Sequence, residues 1–483
     1  MKRTFRTPIA LLLLSVLLVA LSAACGPDDF PSQVPVEPTP SPEPEKPEPL
    51  RVLVDAEYSS VPSTKIREIL SQTIVDSTKT KSLEKIVKEK GGPDVAFEYP
   101  PIFGNERDIY LNNLRVELMS GAGPDVFLCT AYPDVYSDMK NMSGNTAPSY
   151  VVEPVFKFPD KAMRNRVFLP LNDRLENTQF MEFGKLTPVV MEAGRYEGEQ
   201  YLLPTGYTLP LMCYPKSDYS FDCSKNMTWQ EMGEAGPELT HASYALAPSL
   251  WCGYLFSPFV DYDKDEPAFT EEELLGMMKE IEKRTAEVKG PDLPDHYRDE
   301  LSVGFTYSLE DEGSREFFGI GDTFDLEEGL TMVPVYSMDG GYQATVASFA
   351  AINANTQQPD EAFFFLDYWM SEECQRSAAC TYFNWQNGVP TTEGLMTQEK
   401  PCLVYDGLDQ ERNPIFSDWS MTDAVYEDFC KVRENISSTR FATPVDEEVW
   451  DLISPIVYGQ GSPDLEKLTH EAYMRMRMMV AES

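Results

Sequence analysis

Residues Glu106–Tyr136, ERDIYLNNLRVELMSGAGPDVFLCTAYPDVY, decide the fold class. Tyr110, Leu114 and Leu118 recur every four residues, the spacing of one helix face, and Gly121 stops the pattern. The GAGPD turn then feeds an apolar run, VFLC, that reads as a buried strand. The same alternation lies upstream. LRVLVDAEYSS (Leu50–Ser60) is an apolar run turning polar, as a first buried strand does; a polar helix is expected around 65–90; Gly91, Gly92 and Pro93 break it before a second strand in VAFE. Strand, helix, strand, helix, strand is the rhythm of an α/β unit with a parallel sheet.

Downstream, two short β runs are expected around turns at Gly198 and Gly206. Thr270 and Glu273 have capping-box spacing at the head of an amphipathic helix. A β segment beginning near Ala344 leads through a turn to an apolar helix from about Pro359. Ser462 as N-cap and Pro463 at the first helical position open a last helix, with Leu465, Leu468, Ala472, Met476 and Met479 on one face.

The front end has a different character. Lys2, Arg3 and Arg6 precede an apolar run from Ile9 to Leu21, then small residues and Cys25. That is the layout of a secretory signal peptide, and the run is shorter than the roughly 18 to 20 residues needed to span a bilayer. Gly26–Pro49 contains nine prolines in twenty-four residues and cannot bury a core. It reads as an extended tether of about 70 Å at roughly 3.1 Å per residue.

The chain has 40 basic and 79 acidic residues, net −39, and removal of the leader with its three basic residues leaves −42. Such a charge disfavours nucleic acid and anionic membrane surfaces as partners. The 12% of aromatic residues argues against disorder, so the charge is read as a solvating surface. With the leader removed, the chain is too long for one core, and two lobes are expected.

Beyond Cys25 there are eight cysteines, Cys129, Cys213, Cys223, Cys252, Cys374, Cys380, Cys402 and Cys430, without zinc or thioredoxin spacing. Cys213 with Cys223 and Cys374 with Cys380 are nearest in sequence, and thiols and disulfides both stay open. Asp261, Asp263, Asp265 and Glu272 take positions 1, 3, 5 and 12 of a calcium loop, but Glu266 and Pro267 stand where its glycine turn belongs, so a solvated acidic turn is expected. No metal or other cofactor is expected. The three sequons at Asn141, Asn226 and Asn435 are read as chance. His241, His296 and His470 lie in no triad or His-Glu-x-x-His pattern, and no motif fixes an enzymatic mechanism.

Four stretches in order, LMSGAGPDVFL, GRYEGEQYLLPTGYTLPLMCYPKS followed by TWQEM, FAAINANTQQPDEAFFFLDYWMSEECQ, and NGVPTTEGL, resemble the extracellular solute-binding proteins of ABC importers, the branch that includes maltose-binding proteins. LSAAC is similar to a bacterial lipoprotein signal, which makes Cys25 the lipidated first residue. Leu301–Phe324 departs from the family in lacking its G-K-A-A-M stretch. The resemblance implies a two-lobed periplasmic-binding-protein-like α/β fold of type II, each lobe a sheet flanked by helices with a ligand cleft between them. Its crossing segments fall near Tyr207–Leu211, Val333–Ser337 and Asn387–Pro390. The implied organisation is a signal peptide at 1–24, a lipidated tether at 25–49, one lobe from 50–208 and 336–385, and the other from 209–335 and 386–483.

Ligands in such sheets sit beyond the carboxyl ends of the strands. That rule nominates Glu57 and Tyr58 after the first strand and Thr130, Tyr132 and Asp134 after VFLC; Tyr207, Trp251, Tyr336, Asp339 and Tyr342 follow from the implied crossings and cleft. Aromatic faces with carboxylates suit sugar rings, although each aromatic equally suits core packing. The expectation is a monomeric receptor anchored by lipid on the extracytoplasmic face of the cell membrane, which captures a sugar or oligosaccharide and passes it to the transmembrane subunits of an ABC permease. A surface sensor or adhesin on the same fold, or a secreted glycoside-acting enzyme, is the alternative.

Overall fold

The computed structural model describes residues 48–55, 73–75, 80–101, 104–131, 154–209, 211–216, 220–235, 258–288, 329–385, 389–409, 414–458 and 464–482. At its centre is a seven-stranded mixed sheet in the order Val389–Pro390, Leu202–Thr208, Gln343–Ile352, Val126–Thr130, Leu50–Asp55, Val95–Glu98, with Ser438–Arg440 pairing the start of Gln343–Ile352 as the seventh. Leu50–Asp55 runs parallel to both its neighbours, as the βαβ rhythm requires. The long strand Gln343–Ile352 enters antiparallel between Val126–Thr130 and Leu202–Thr208. Two of the seven strands, Val389–Pro390 and Ser438–Arg440, come from beyond residue 385.

Both faces of this sheet are covered, which is why its strands are apolar almost throughout. Leu50, Val52, Val54, Val126 and Leu128 share a core with Ile86 and Val87 of the helix Leu83–Glu89 and Phe365 and Leu366 of the helix Pro359–Trp369. The intervening Leu53, Phe127 and Cys129 point the other way, toward Leu114 of the helix Gly104–Met119 and Met163 of the helix Pro159–Arg164. A one-residue slip in any of these strands would exchange the two cores.

Away from the sheet, Leu211–Pro215 and Leu330–Pro334 form an antiparallel ribbon, and the helices Glu271–Val288, Pro444–Tyr458 and Leu465–Glu482 pack on one another. Thr270 and Glu273 make the reciprocal capping box at the head of the first helix, at 2.7 Å and 3.2 Å. Leu465, Ala472 and Met476 of the last helix are buried, as their spacing predicts; Ser462 and Pro463 lie outside the described residues. Among the described residues no helix is long and apolar enough to cross a membrane.

Two local expectations are corrected. Within the described part of 65–90, Leu83–Glu89 is helical, while Thr73–Val75 and Thr80–Ser82, four of whose six residues are β-branched, pair as a ribbon just before it. Gly198 turns a hairpin at a φ of 84°, but Gly206 lies inside the strand Leu202–Thr208. There it faces Ser348 where the ladder shifts register, so this glycine marks an irregularity in the sheet instead of a turn.

Buried carboxylates fasten the connections. Asp367, on the apolar helix Pro359–Trp369, accepts backbone N–H bonds from Gln179 (2.6 Å), Phe180 and Met181 (2.7 Å). Asp125 accepts the Arg51 N–H at 2.8 Å, and Asn353 donates to the carbonyls of Ala122 and Pro124, pinning the GAGPD turn. At the end of the first strand Asp55 is gripped by Arg107, whose Nη2 lies 3.0 Å and 2.9 Å from the two carboxylate oxygens. Both side chains are at most 5% exposed. Arg107→Met would leave the Asp55 charge buried without its partner and should cost about 3–5 kcal/mol of stability. Urea unfolding of the two proteins checks this, and a loss under 1 kcal/mol would show that the pair is dispensable.

Candidate functional site at the carboxyl ends of the strands

The parallel strands Leu50–Asp55 and Val126–Thr130 end on the same edge of the sheet, where Leu202–Thr208 also ends and Gln343–Ile352 begins. The Asp55 carboxylate closes the first strand's end, with Arg107 on one side and the Val155 N–H, at 3.0 Å, on the other. Thr130 is half-buried at the second strand's end and donates its hydroxyl to the Asp55 carbonyl at 3.3 Å. Further along the edge, Thr205 and Ser348 share a hydrogen bond of 2.6 Å and Thr208 donates to the Thr345 carbonyl. The strand ends are thus rich in hydroxyls and backed by one buried ion pair.

Of the nominated residues, Thr130 is the one the structure places at this edge with its hydroxyl near a strand end. Glu57, Tyr58, Tyr132, Asp134 and Trp251 lie outside the described residues, as does Cys25. Tyr207, Tyr336 and Tyr342 pack in the core, each at most 2% exposed. Tyr336 and Tyr342 meet edge to face, with centroids 5.4 Å apart, and their hydroxyls donate to the carbonyls of Lys225 (3.0 Å) and Val432 (2.7 Å). Asp339 stands exposed in the turn between them, at Gly340 and Gly341, both with positive φ.

Tyr207 pairs with Val389 across the sheet, and its ring belongs to the core. Burial pushes its hydroxyl above the usual tyrosine range, while Arg433 and Thr187 act in the opposite direction. The Thr187 hydroxyl donates to the Thr391 carbonyl at 3.0 Å, and no well-formed hydrogen bond reaches the Tyr207 hydroxyl among the described residues. Arg433, which sequence reading did not nominate, is nearly buried, 4.0 Å from Glu393 and over the Phe429 ring. Its signal was faint: one of two basic residues, with Lys431, in the last turn of an amphipathic helix.

The aspartates of the acidic turn are engaged by cations. Lys264 pairs with Asp261 (2.6 Å), Arg164 with Asp263 (2.5 Å) and Lys161 with Asp265 (3.0 Å), so three of the four carboxylates that sequence spacing aligned are spread over three partners. Among the described residues no group of three His, Cys, Asp or Glu side chains is arranged to hold a metal ion. Beside this turn, burial raises the Asp160 carboxyl to about 6, against the pull of Arg164, its own backbone N–H, Tyr262 and Arg440.

Two outcomes follow from these placements. Tyr207→Phe should change stability by less than about 1 kcal/mol, because no well-formed hydrogen bond to the hydroxyl it removes is present among the described residues; a larger loss in denaturant unfolding would mean that the hydroxyl is held. The folded-state pKa of Asp160 exceeds its unfolded value, so between about 4 and 6 the folded protein binds the extra proton and stability falls as pH rises. Asp160→Asn should therefore be more stable than the parent above pH 6, by up to about 3 kcal/mol, and equal to it below pH 4. Thermal midpoints measured from pH 4 to 8 test the sign.

The profile of a bacterial extracellular solute-binding protein matches residues 76–376. Among solved structures, an extracellular solute-binding protein of family 1 from Alicyclobacillus acidocaldarius is 10% identical, covering 90% of this chain and 100% of its own, with a TM-score of 0.47. A periplasmic oligogalacturonide-binding protein from Yersinia enterocolitica is 15% identical, covering 90% and 99%, with a TM-score of 0.48. A maltose/maltodextrin-binding domain from Bdellovibrio bacteriovorus, bound to maltotriose, is 13% identical, covering 90% and 100%, with a TM-score of 0.42. No curated protein sequence matches the chain. The match spans well over half of the 483 residues, takes in the strands Val126–Thr130, Leu202–Thr208 and Gln343–Ile352 that build the candidate edge, and agrees with the two-lobed α/β class: this chain belongs to the bacterial extracellular solute-binding protein family.

Proposed function

We propose that this protein is the lipid-anchored receptor of an ABC importer, capturing a sugar or oligosaccharide outside the cell and handing it to a membrane permease without altering it. The observation that carries the reading is the route of the chain at the candidate edge. Leu202–Thr208 belongs to the main sheet, yet Leu211–Pro215, three residues on, pairs with Leu330–Pro334 in a separate ribbon, from which the chain returns to the sheet at Gln343. Two passages between sheets thus run beside the strand ends where this class of fold takes its ligand. In this reading 50–208 with 336–385 and 209–335 with 386–483 make the two lobes, the strands Val389–Pro390 and Ser438–Arg440 returning to the first lobe's sheet.

Solute recognition falls to Thr130 and Asp339 together with Glu57, Tyr58, Tyr132, Asp134 and Trp251. The lobes close because the solute touches both only when they are closed, so its differential affinity sets the closed population. Cys25 carries the lipid, and Gly26–Pro49 gives the reach to follow the permease. The mature chain, extracted in detergent, should show a raised unfolding midpoint with one class of mono- or oligosaccharide. At 100 times the dissociation constant the gain is about 2.7 kcal/mol. A rise with peptides alone would move the solute class, and no rise with sugars, peptides or polyols would favour a sensor or adhesin.

A further inference from the structure

The helix Glu372–Gln375, capped by the Ser371 hydroxyl, is followed after two residues by the helix Ala378–Trp385. The bend between them is held by the Ser377 hydroxyl, which donates to the Cys374 carbonyl at 2.5 Å. It brings two thiols six residues apart into contact, with Cys374 Sγ and Cys380 Sγ separated by 3.5 Å. Both are at most 1% exposed, as is Cys402, on the adjoining strand Cys402–Leu408. The same compartment that receives this family's members is one where paired thiols are oxidised.

We propose that Cys374 and Cys380 are joined as a disulfide in the exported protein, stapling the two helices at the base of the segment that leads into Val389–Pro390. The inference rests on the extracytoplasmic placement that the family implies.

The chemistry is thiol–disulfide exchange with an external disulfide, either a small molecule such as oxidised glutathione or an oxidoreductase. One cysteine thiolate attacks a sulfur of that disulfide and releases the first reduced thiol. The second thiolate attacks the mixed disulfide and releases the other. The Cys374–Cys380 bond forms, the external S–S bond breaks, two electrons pass to the reagent, and the two cysteine protons end on its thiols.

The surroundings accept the product. In the thiol form Cys380 donates weakly to the Trp369 carbonyl at 3.7 Å, but the Gln375 amide also donates there, at 2.9 Å. Oxidation therefore leaves that buried carbonyl satisfied. The sulfurs need to close from 3.5 Å to the roughly 2.05 Å of a disulfide. Burial, with Cys374 and Cys402 adding to it, holds the Cys380 thiol well above its ordinary pKa. The folded thiol is thus protonated and slow, and the bond forms while the chain is still folding.

The test refolds the reduced full-length chain in detergent with mixed oxidised and reduced glutathione, then alkylates it in denaturant without reductant. The expected product carries two fewer alkyl groups than the reduced, fully alkylated control, yields a linked peptide pair containing Cys374 and Cys380, and loses about 2 °C in its unfolding midpoint when reductant is added. Cys374→Ser should leave Cys380 alkylated. Should that variant not fold, the wild-type masses decide alone. Alkylation of both residues in the refolded wild type, or a Cys380–Cys402 link in place of theirs, overturns the proposal. Failure of export would show in cell fractionation and not in this thiol count, so the two failures are distinguishable.

Discussion

A sheet buried on both faces leaves polar chemistry only its edges and strand ends. Leu50, Val52 and Val54 commit one face of the first strand to one core, and Leu53 commits the other face to the second. Helices must then cover both sides, the connections must run at the ends, and any solute must meet the sheet end-on. The two-lobed class follows from that constraint, since a chain of this length cannot place all its apolar surface on one sheet. The surplus goes to the ribbon and the three packed helices beyond Thr208.

In a chain of net charge −39, carboxylates serve two opposite purposes. Most solvate the surface, where single ion pairs contribute little. A few are buried and act as fasteners, because an acceptor-only group taken out of water is stable only when every donor around it is fixed. Asp55 with Arg107, Asp367 with three backbone N–H groups, and Asp446 with Arg440 and the Thr443 N–H are of this kind. Each ties a helix to a strand end or loop distant in sequence or opens a helix, so their loss would loosen the connections that set the shape of the edge.

Where periodicity was strong, the fold was legible. The strands at Leu50, Val95 and Val126, the helix over Tyr110–Leu118, the capping box at Thr270 and the helix from Pro359 all rest on local patterns that packing then used. The failures have physical causes too. Thr73–Val75 and Thr80–Ser82 are three residues each, too short for an alternation that would separate ribbon from helix. Gly206 looks like a turn residue until the neighbouring strand is known. The antiparallel entry of Gln343–Ile352 could not be read either, because register between segments more than 100 residues apart is not written in either one.

The candidate site was less legible for a related reason. An aromatic residue carries the same signal whether it stacks on a sugar or fills a core, and Tyr207, Tyr336 and Tyr342 prove to fill the core. The acids at the ends of apolar runs, Asp55 in LRVLVD and Asp367 in FFFLDYW, carried a clearer message, since a buried carboxylate demands a partner. The strand-end hydroxyls are largely spoken for: Thr130 by the Asp55 carbonyl, Thr205 and Ser348 by each other, Thr208 by the Thr345 carbonyl. A strand end that has satisfied its own polar groups makes a rigid floor with few free contacts. Residues that follow the strands carry none of the sequence periodicity that made the sheet readable, which is why the family of this chain can be read from its sequence more readily than its solute.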